Sequence, residues 1–458
     1  MTLSAANGWY LKGNMQNDKT TLRDLSIITT DGISGVFELI DSTTTHAGRE
    51  MLRKHITHPP DTFEKLKEVQ DAIRFWSANL DLWPNIILNG TLVMLDKFFE
   101  SADNISAPPG GFTLMLNSFF QKLLHKQEYF YMQFSLSHLS DFLKGCTKLA
   151  EIADKEDLPP LLKRELLLIK EELNHRLAQP LIRISKQTKY AELAQLNYKA
   201  RREIKNTIYR LIDSYARLDA WHAMATATKT HGWIFPELLP ATPICLETTG
   251  LSHPLLKKPV SYDITFNNKH NFLLLTGANM SGKTTFMRAL GVGALLAHLG
   301  MGVPAKSLRI SFLQGIITNM QVEDSILRGE SYFFAEVQRM KQTAEKLLQQ
   351  SPHLVLMDEL FKGTNVHDAY ECSKAVIEGL LQHPGHLMIL STHLYEVVQQ
   401  FRTNDEILFY YFVTSMGANG GYNFTYDLKP GISDDRIGYR ILQQEGVIAL
   451  LNQKAPGI

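Results

Sequence analysis

The stretch Gly277-Ala278-Asn279-Met280-Ser281-Gly282-Lys283-Thr284 constrains this chain more than any other part of it. It has the Gly-x4-Gly-Lys-Thr spacing of a phosphate-binding loop. An apolar run at 272–275 precedes it and a helical run at 286–299 follows. That is the strand–loop–helix setting such a loop needs. Glycines let the backbone curl so that successive N–H groups face phosphate oxygens, and the helix N-terminus adds partial positive charge. Lys283 is then placed for the β- and γ-phosphates and the Thr284 hydroxyl for Mg²⁺. The spacing predicts nucleotide binding, with ATP and Mg²⁺ as the ligands.

Two further strand ends carry compatible chemistry. Four apolar residues, 354–357, lead into Asp358-Glu359, 75 residues after Lys283. An acidic pair ending a strand is common in isolation. At this spacing, and at the carboxyl edge where open parallel sheets bind ligands, Asp358 is expected to support Mg²⁺ and Glu359 to act as general base. Another apolar run, 387–390, leads into Ser391-Thr392-His393. A lone histidine is usually structural, but here a third strand end points to the same site, so His393 is a candidate for sensing the γ-phosphate.

The rest of the chain divides in two. Residues 112–230 are rich in Leu, Lys, Glu and Gln and poor in glycine, with breaks at Pro159-Pro160 and Pro180. They read as long helices, and the region from Leu22 to Trp76 is helical as well. Beyond about residue 235 short apolar runs alternate with helical stretches, as in a buried, mainly parallel sheet. The expected architecture is α + α/β: a polar segment over 1–20, an all-α domain over 21–235, a P-loop domain over 236–445 and a tail over 446–458. A length of 458 residues accommodates this at roughly 100–200 residues per domain. Lys+Arg and Asp+Glu are both 47. A wholly basic nucleic-acid binder is therefore excluded, although a local basic patch is not. The three cysteines, Cys146, Cys245 and Cys372, form no paired motif, which suggests a reducing, cytoplasmic setting. No leader pattern opens the chain, and no apolar run approaches a membrane span.

Together these residues resemble the MutS family of mismatch-repair ATPases, a branch of the ABC-type ATPases. Thr276 to Arg288 is similar to that family's phosphate loop, in which Asn-Met before the last glycine is distinctive. The resemblance implies that Gly277, Ala278, Asn279, Met280, Ser281, Gly282, Lys283, Thr284 and Thr285 all contact nucleotide. The segment Asp324 to Glu336 resembles the family's signature loop, with Gly329, Ser331, Phe333 and Glu336 at matching places. In ABC-type ATPases this loop caps the γ-phosphate held by the other protomer. Ser331 is therefore expected to act in trans within a homodimer. Alignment with the family puts the adenine between Val260 and Tyr426. In the helical half, Asp41 to Thr45, Gly48 and Leu52 resemble the start of the family's core domain, and Leu218-Asp219-Ala220 the end of its lever helices.

The departures shape the functional expectation. The core pattern begins within about 25 residues of Met1, so a mismatch-reading domain and its connector are expected to be absent. Phe235-Pro236-Glu237 spells the family's mismatch-wedge tripeptide but stands at the domain junction. Leu360-Phe361-Lys362 replaces the family's Gly-Arg after the acidic pair. Between Arg183 and Arg210 lie eight basic residues, Arg183, Lys186, Lys189, Lys199, Arg201, Arg202, Lys205 and Arg210, against Glu192 and Glu203. They are candidates for contacts to the backbone of double-stranded or branched DNA. The expected function is an ATP-driven, homodimeric, DNA-embracing clamp in repair or recombination, with repair partners unidentified. A nucleotide-gated scaffold acting on protein or ribosomal partners is the alternative, and a small-molecule kinase a more distant one.

Overall fold

The computed structural model describes residues 18–28, 34–100, 126–320, 332–349, 351–416, 422–433, 443 and 446–451. Gly329 and Ser331 lie outside the described residues. In the first half the helices are α1 (Lys19–Asp24), α2 (Val36–Ile40), α3 (His46–Thr57), α4 (Phe63–Ala78), α5 (Asn89–Glu100), α6 (Lys126–Ile152), α7 (Pro160–Glu172), α8 (Ala178–Ile182), α9 (Tyr190–Lys199) and α10 (Lys205–Thr230). A π-helical turn, Ala200–Ile204, joins the last two. The second half holds β1 (Glu237–Leu239), β2 (Leu246–Leu251), β3 (Tyr262–Phe266), β4 (Phe272–Thr276), α11 (Lys283–His298), β5 (Ser307–Ser311), β6 (Gly315–Asn319), α12 (Tyr332–Leu347), β7 (His353–Asp358), α13 (Val366–Leu380), β8 (Leu387–Ser391), α14 (Tyr395–Gln400), β9 (Ile407–Met416), β10 (Tyr422–Pro430) and α15 (Val447–Leu451).

These elements group into two units. One gathers Ile40–Ile56 and Lys67–Thr230 and is helical throughout its described residues. Its core is aromatic: Trp83 stacks on His222 at 4.4 Å and meets Trp76 edge-on at 5.5 Å. The two segments that carried the family resemblance in this half meet here. Asp219, fully buried in α10, accepts from Thr44 N and Oγ1 (both 3.0 Å) and from Thr45 N and Oγ1 (3.0 and 2.8 Å). Asp219 thus fixes the entry to α3 from some 175 residues away, while Thr45 Oγ1 caps the helix by accepting the Gly48 N–H at 3.0 Å. Gly48 is required beside it, because a Cβ there would stand 2.1 Å from Asp219 Oδ2. The proline breaks have distinct forms. Pro160 opens α7 from its first position, where its missing N–H costs nothing, and Pro180 lies inside the short α8.

The other unit gathers Gly13–Leu39, Thr57–Leu66 and His231–Ile458. Its main sheet runs β10-β9-β4-β8-β7-β6, parallel except for the antiparallel edge strand β10. The apolar runs at 272–275, 354–357 and 387–390 are its three central strands. They lack alternation because both faces are covered. Phe272, Leu274, Val355, Met357, Met388 and Leu390 pack with Leu347 of α12 and with Ile377 and Leu380 of α13. On the other face α11 lies so close that a Cβ on Gly291 would be 2.9 Å from Leu356. A second, mostly antiparallel sheet runs β1-β5-β2-β3. Its strands alternate in burial and are short, so no continuous apolar run marks them.

The N-terminal helix α1 belongs to this unit through a buried carboxylate. Asp24, with no exposed surface, accepts from Thr318 Oγ1 (2.8 Å) and Met320 N (3.2 Å) at the end of β6, with Arg339 of α12 at 3.7 Å. A polar side chain on a six-residue helix gives no periodic signal, and only the folded chain reveals this contact.

Burial also sets how the fold responds to acid. It pushes His222, His253, His298 and His353 down to about 4. His298 shows why: its Nε2 accepts the Leu313 N–H (2.8 Å), a bond only the neutral ring can form, while Nδ1 faces the Ala294 carbonyl (2.8 Å). A depressed histidine takes up its proton more readily in the unfolded chain. Its contribution is complete above about pH 6.5 and is lost as pH falls towards 4. We expect cooperative acid unfolding within that window, steeper for the C-terminal unit, which holds three of the four. Far-UV circular dichroism against pH checks this, and native signal persisting at pH 3 would contradict it.

Candidate active site

The register of the central strands assembles the site. Leu275 of β4 and Asp358 of β7 both pair with Ser391 of β8. The carboxyl ends of three strands therefore lie side by side, and the phosphate loop, Asp358-Glu359 and Thr392-His393 leave the sheet together. The loop has the backbone its sequence demands. Gly277 (φ 138°) and Gly282 (φ 111°) take left-handed conformations, as does Met280 (φ 67°), whose side chain is exposed. Gly282 also faces aromatic rings: a Cβ there would stand 3.2 Å from Tyr426 and 3.3 Å from Phe412.

Lys283 is buried, and its Nζ donates to the Gly277 and Ala278 carbonyls at 2.8 and 3.0 Å. Burial lowers its pKa, against the opposing pull of the Glu359 and Asp358 carboxylates. Thr284 Oγ1 donates to Asp358 Oδ2 at 2.7 Å. The other oxygen, Asp358 Oδ1, is buried with no hydrogen-bond partner, as are Ser281 Oγ and Ser391 Oγ. An orphaned carboxylate oxygen beside a hydroxyl is a hard-oxygen donor set that fits Mg²⁺. Asn279 is exposed, and Thr285 is half-buried on the first turn of α11.

Glu359 is 15% exposed, with Lys362 Nζ at 2.9 Å, His393 Nδ1 at 3.7 Å and Lys283 Nζ at 4.0 Å. The imidazole of His393 and the ammonium of Lys362 hold its carboxyl down at about 2, although burial alone would raise it. Lys362 was not among the residues expected from the sequence. It stands where the resemblance predicts another residue, and only the reversal of the chain brings it back to Glu359. That reversal places Glu359 (φ 54°) and Phe361 (φ 62°) in the left-handed region, which costs side-chain-bearing residues about 1–3 kcal/mol each.

Tyr426 also has a positive φ (59°). It lies in the irregular stretch of β10, half exposed, with Phe424 stacked at 6.4 Å. Val260 is half-buried just ahead of β3, two residues before Tyr262, whose ring meets Phe286 of α11 at 5.2 Å.

The basic stretch of the helical unit is only partly open. Arg183, Lys186, Lys189, Lys199 and Arg202 are exposed, the last with its guanidinium 4.7 Å above the Tyr198 ring. Arg210 forms a two-pronged pair with Glu172, and Lys205 Nζ reaches the Phe99 carbonyl at 3.5 Å. Arg201 must be withdrawn from the candidate contacts: it is buried, donates to the Phe98 carbonyl and lies 4.0 Å over the Phe98 ring. A charge that the core has desolvated in this way is closed to a phosphate.

Part of the chain matches a known family model. Residues 273–455 match the family model for MutS domain V. The chain is similar to the DNA mismatch repair protein MutS of Chloroflexus aurantiacus, at 29% identity over 245 residues, covering 52% of this chain and 25% of that protein. It is also similar to the DNA mismatch repair protein MutS of Lactococcus lactis subsp. cremoris, at 26% identity over 251 residues, covering 54% and 29%. The matched stretch thus spans little more than a quarter of those curated relatives. The family match thus rests on residues 273–455, the stretch that carries the phosphate loop, Asp358-Glu359 and His393.

Proposed function

We propose that this chain is an ATP hydrolase that uses Mg²⁺ and acts as a homodimeric clamp on double-stranded or branched DNA, in repair or recombination. In this reading 236–445 is the ATPase domain, which α1 and α2 join, and the helical unit within 21–235 forms the core and lever. The observation that carries the proposal is the convergence of Lys283, Thr284, Asp358, Glu359 and His393 on adjoining strand ends. Lys283 binds the β- and γ-phosphates, and Thr284 and Asp358 hold Mg²⁺. When bound, Mg²⁺ neutralises phosphate charge that develops during transfer. Glu359 takes the proton of the attacking water. With its carboxyl held at about 2, the resting group is fully ionised but weakly basic. Displacing Lys362 and His393 from it raises that basicity. His393 contacts the γ-phosphate, Tyr426 and Val260 flank the adenine, and Ser331 completes the partner's site.

Mismatch reading by a Phe-x-Glu wedge forms no part of the proposal. Phe235-Pro236-Glu237 leads into β1, and Glu237 pairs with Arg309 at 2.9 Å. One observation favours the scaffold alternative, in which the partner is protein or ribosomal: three of the eight basic candidates, Arg201, Lys205 and Arg210, already donate hydrogen bonds within the chain.

The two readings separate in one experiment. Steady-state ATP hydrolysis is measured with linear, mismatched and branched duplexes at low and moderate salt. The clamp reading expects a change in rate on adding DNA that fades steeply as salt rises, because phosphate contacts release counterions. A rate indifferent to every DNA would remove DNA from the proposal and leave the scaffold.

A further inference from the structure

We propose that Glu336 of α12 is a positioning residue for the base Glu359, an inference that rests on the reading of Glu359 given above. The backbone after β7 reverses between Glu359 and Gly363 through two left-handed residues that are not glycine. Such a turn persists only where its surroundings over-determine it, and α12 supplies that support at three points. The Glu336 carboxylate, 8% exposed, accepts the Lys362 N–H on Oε1 and the Gly363 N–H on Oε2, both at 3.2 Å. Gly363 lies directly against the helix, where a Cβ would stand 2.7 Å from Phe333 N. The buried ring of Phe361 packs on Phe333, with centroids 5.9 Å apart.

Ring and glycine contacts fix the distance between helix and turn. The two hydrogen bonds fix its rotation, because a carboxylate that accepts two successive N–H groups defines the plane of that peptide. Glu359 is the first residue of the same turn, and Lys362, which ion-pairs with it, is one of the two donors. Rotation of the peptide therefore moves both members of the pair. The small cavity lined by Tyr332, Glu336, Arg339, Asp358, Glu359 and Lys362 leaves the turn room to shift once the clasp is gone. Glu336 touches neither Lys283 nor Thr284 and is not placed to bind nucleotide. Its loss is expected to act on turnover and to spare ATP affinity.

The test compares the full-length parent with Glu336→Ala, Glu336→Gln and Glu359→Gln for ATP affinity, kcat, KM and melting temperature. Displacing a catalytic group by about 1 Å can cost on the order of 100-fold in rate. Glu336→Ala is therefore expected to lower kcat by roughly 10- to 100-fold while ATP affinity stays within about threefold. Glu336→Gln keeps the shape and one acceptor, so it should fall between parent and alanine variant. If the parent hydrolyses ATP, Glu359→Gln does not, and a folded Glu336→Ala turns over at the parent rate, the positioning role is overturned and the base assignment stands. Loss of affinity and turnover together in Glu336→Ala, with Glu336→Gln like the parent, would mark a plainly structural residue and also overturn it. If Glu359→Gln hydrolyses like the parent, the base assignment itself fails and this inference falls with it.

Discussion

Glu359→Gln is expected to bind ATP with nearly parental affinity and to release phosphate at least about 100-fold more slowly, the lower end of what a positioned base contributes. The substitution preserves side-chain size in a site where Glu359 is largely enclosed. It removes the anion that faces Lys362, His393 and Lys283. Two effects act on affinity in the same direction. Losing a carboxylate near the phosphate site reduces repulsion of ATP and favours binding. Freeing Lys362 from its 2.9 Å pair adds a mobile cation, which favours binding as well. Affinity should therefore hold or rise slightly while turnover collapses. Phosphate release together with equilibrium ATP binding separates the two. Turnover at the parental rate would show that the water is activated elsewhere.

Lys283→Ala is expected to act on the opposite quantity. Lys283 is buried between two loop carbonyls and two carboxylates, a location that favours a cation only because those oxygens surround it. Without it, phosphates meet Asp358 and Glu359 with no facing positive charge from the loop. Truncating one member of a buried charged pair costs about 2–5 kcal/mol in binding, roughly 30-fold to more than a thousandfold in affinity. The fold should survive, since the change removes a desolvated charge and leaves the Gly277 and Gly282 turns intact. Calorimetric titration of ATP into the variant, with a thermal melt as control, gives the answer. Affinity within threefold of the parent would take Lys283 out of the phosphate site.

The contrast between these residues and those that the sequence did not reveal has a physical basis. Asp358 directly follows an apolar run that is buried on both faces, His393 comes three residues after another, and Lys283 closes the glycine-spaced loop that follows a third. Such runs survive as unbroken hydrophobic strings, and the residues at their ends inherit a known place in a parallel sheet. Lys362 and Glu336 were harder to place. Their roles depend on a reversal in which Glu359 and Phe361 adopt a conformation that their side chains disfavour, and no local preference announces that. The second sheet leaves no unbroken apolar string in the sequence because its strands are short and only half apolar. Asp24 and α1 leave none either, because one buried carboxylate carries the attachment. In the helical half, length and composition gave the helices, while the anchoring of Thr44 and Thr45 by Asp219 required two distant segments to meet. Arg201 shows the reverse error. Charge counted along a sequence does not distinguish an arginine facing solvent from one stacked on Phe98.

The most direct measurement is phosphate release by the parent chain as ATP is titrated, with Mg²⁺ present and with the divalent ion chelated. The hard-oxygen pair of Thr284 and Asp358, with Asp358 Oδ1 left unpartnered, predicts release that saturates with ATP and vanishes on chelation. No phosphate release with Mg²⁺ present, from a chain that binds ATP, would contradict the claim that this site is a hydrolase.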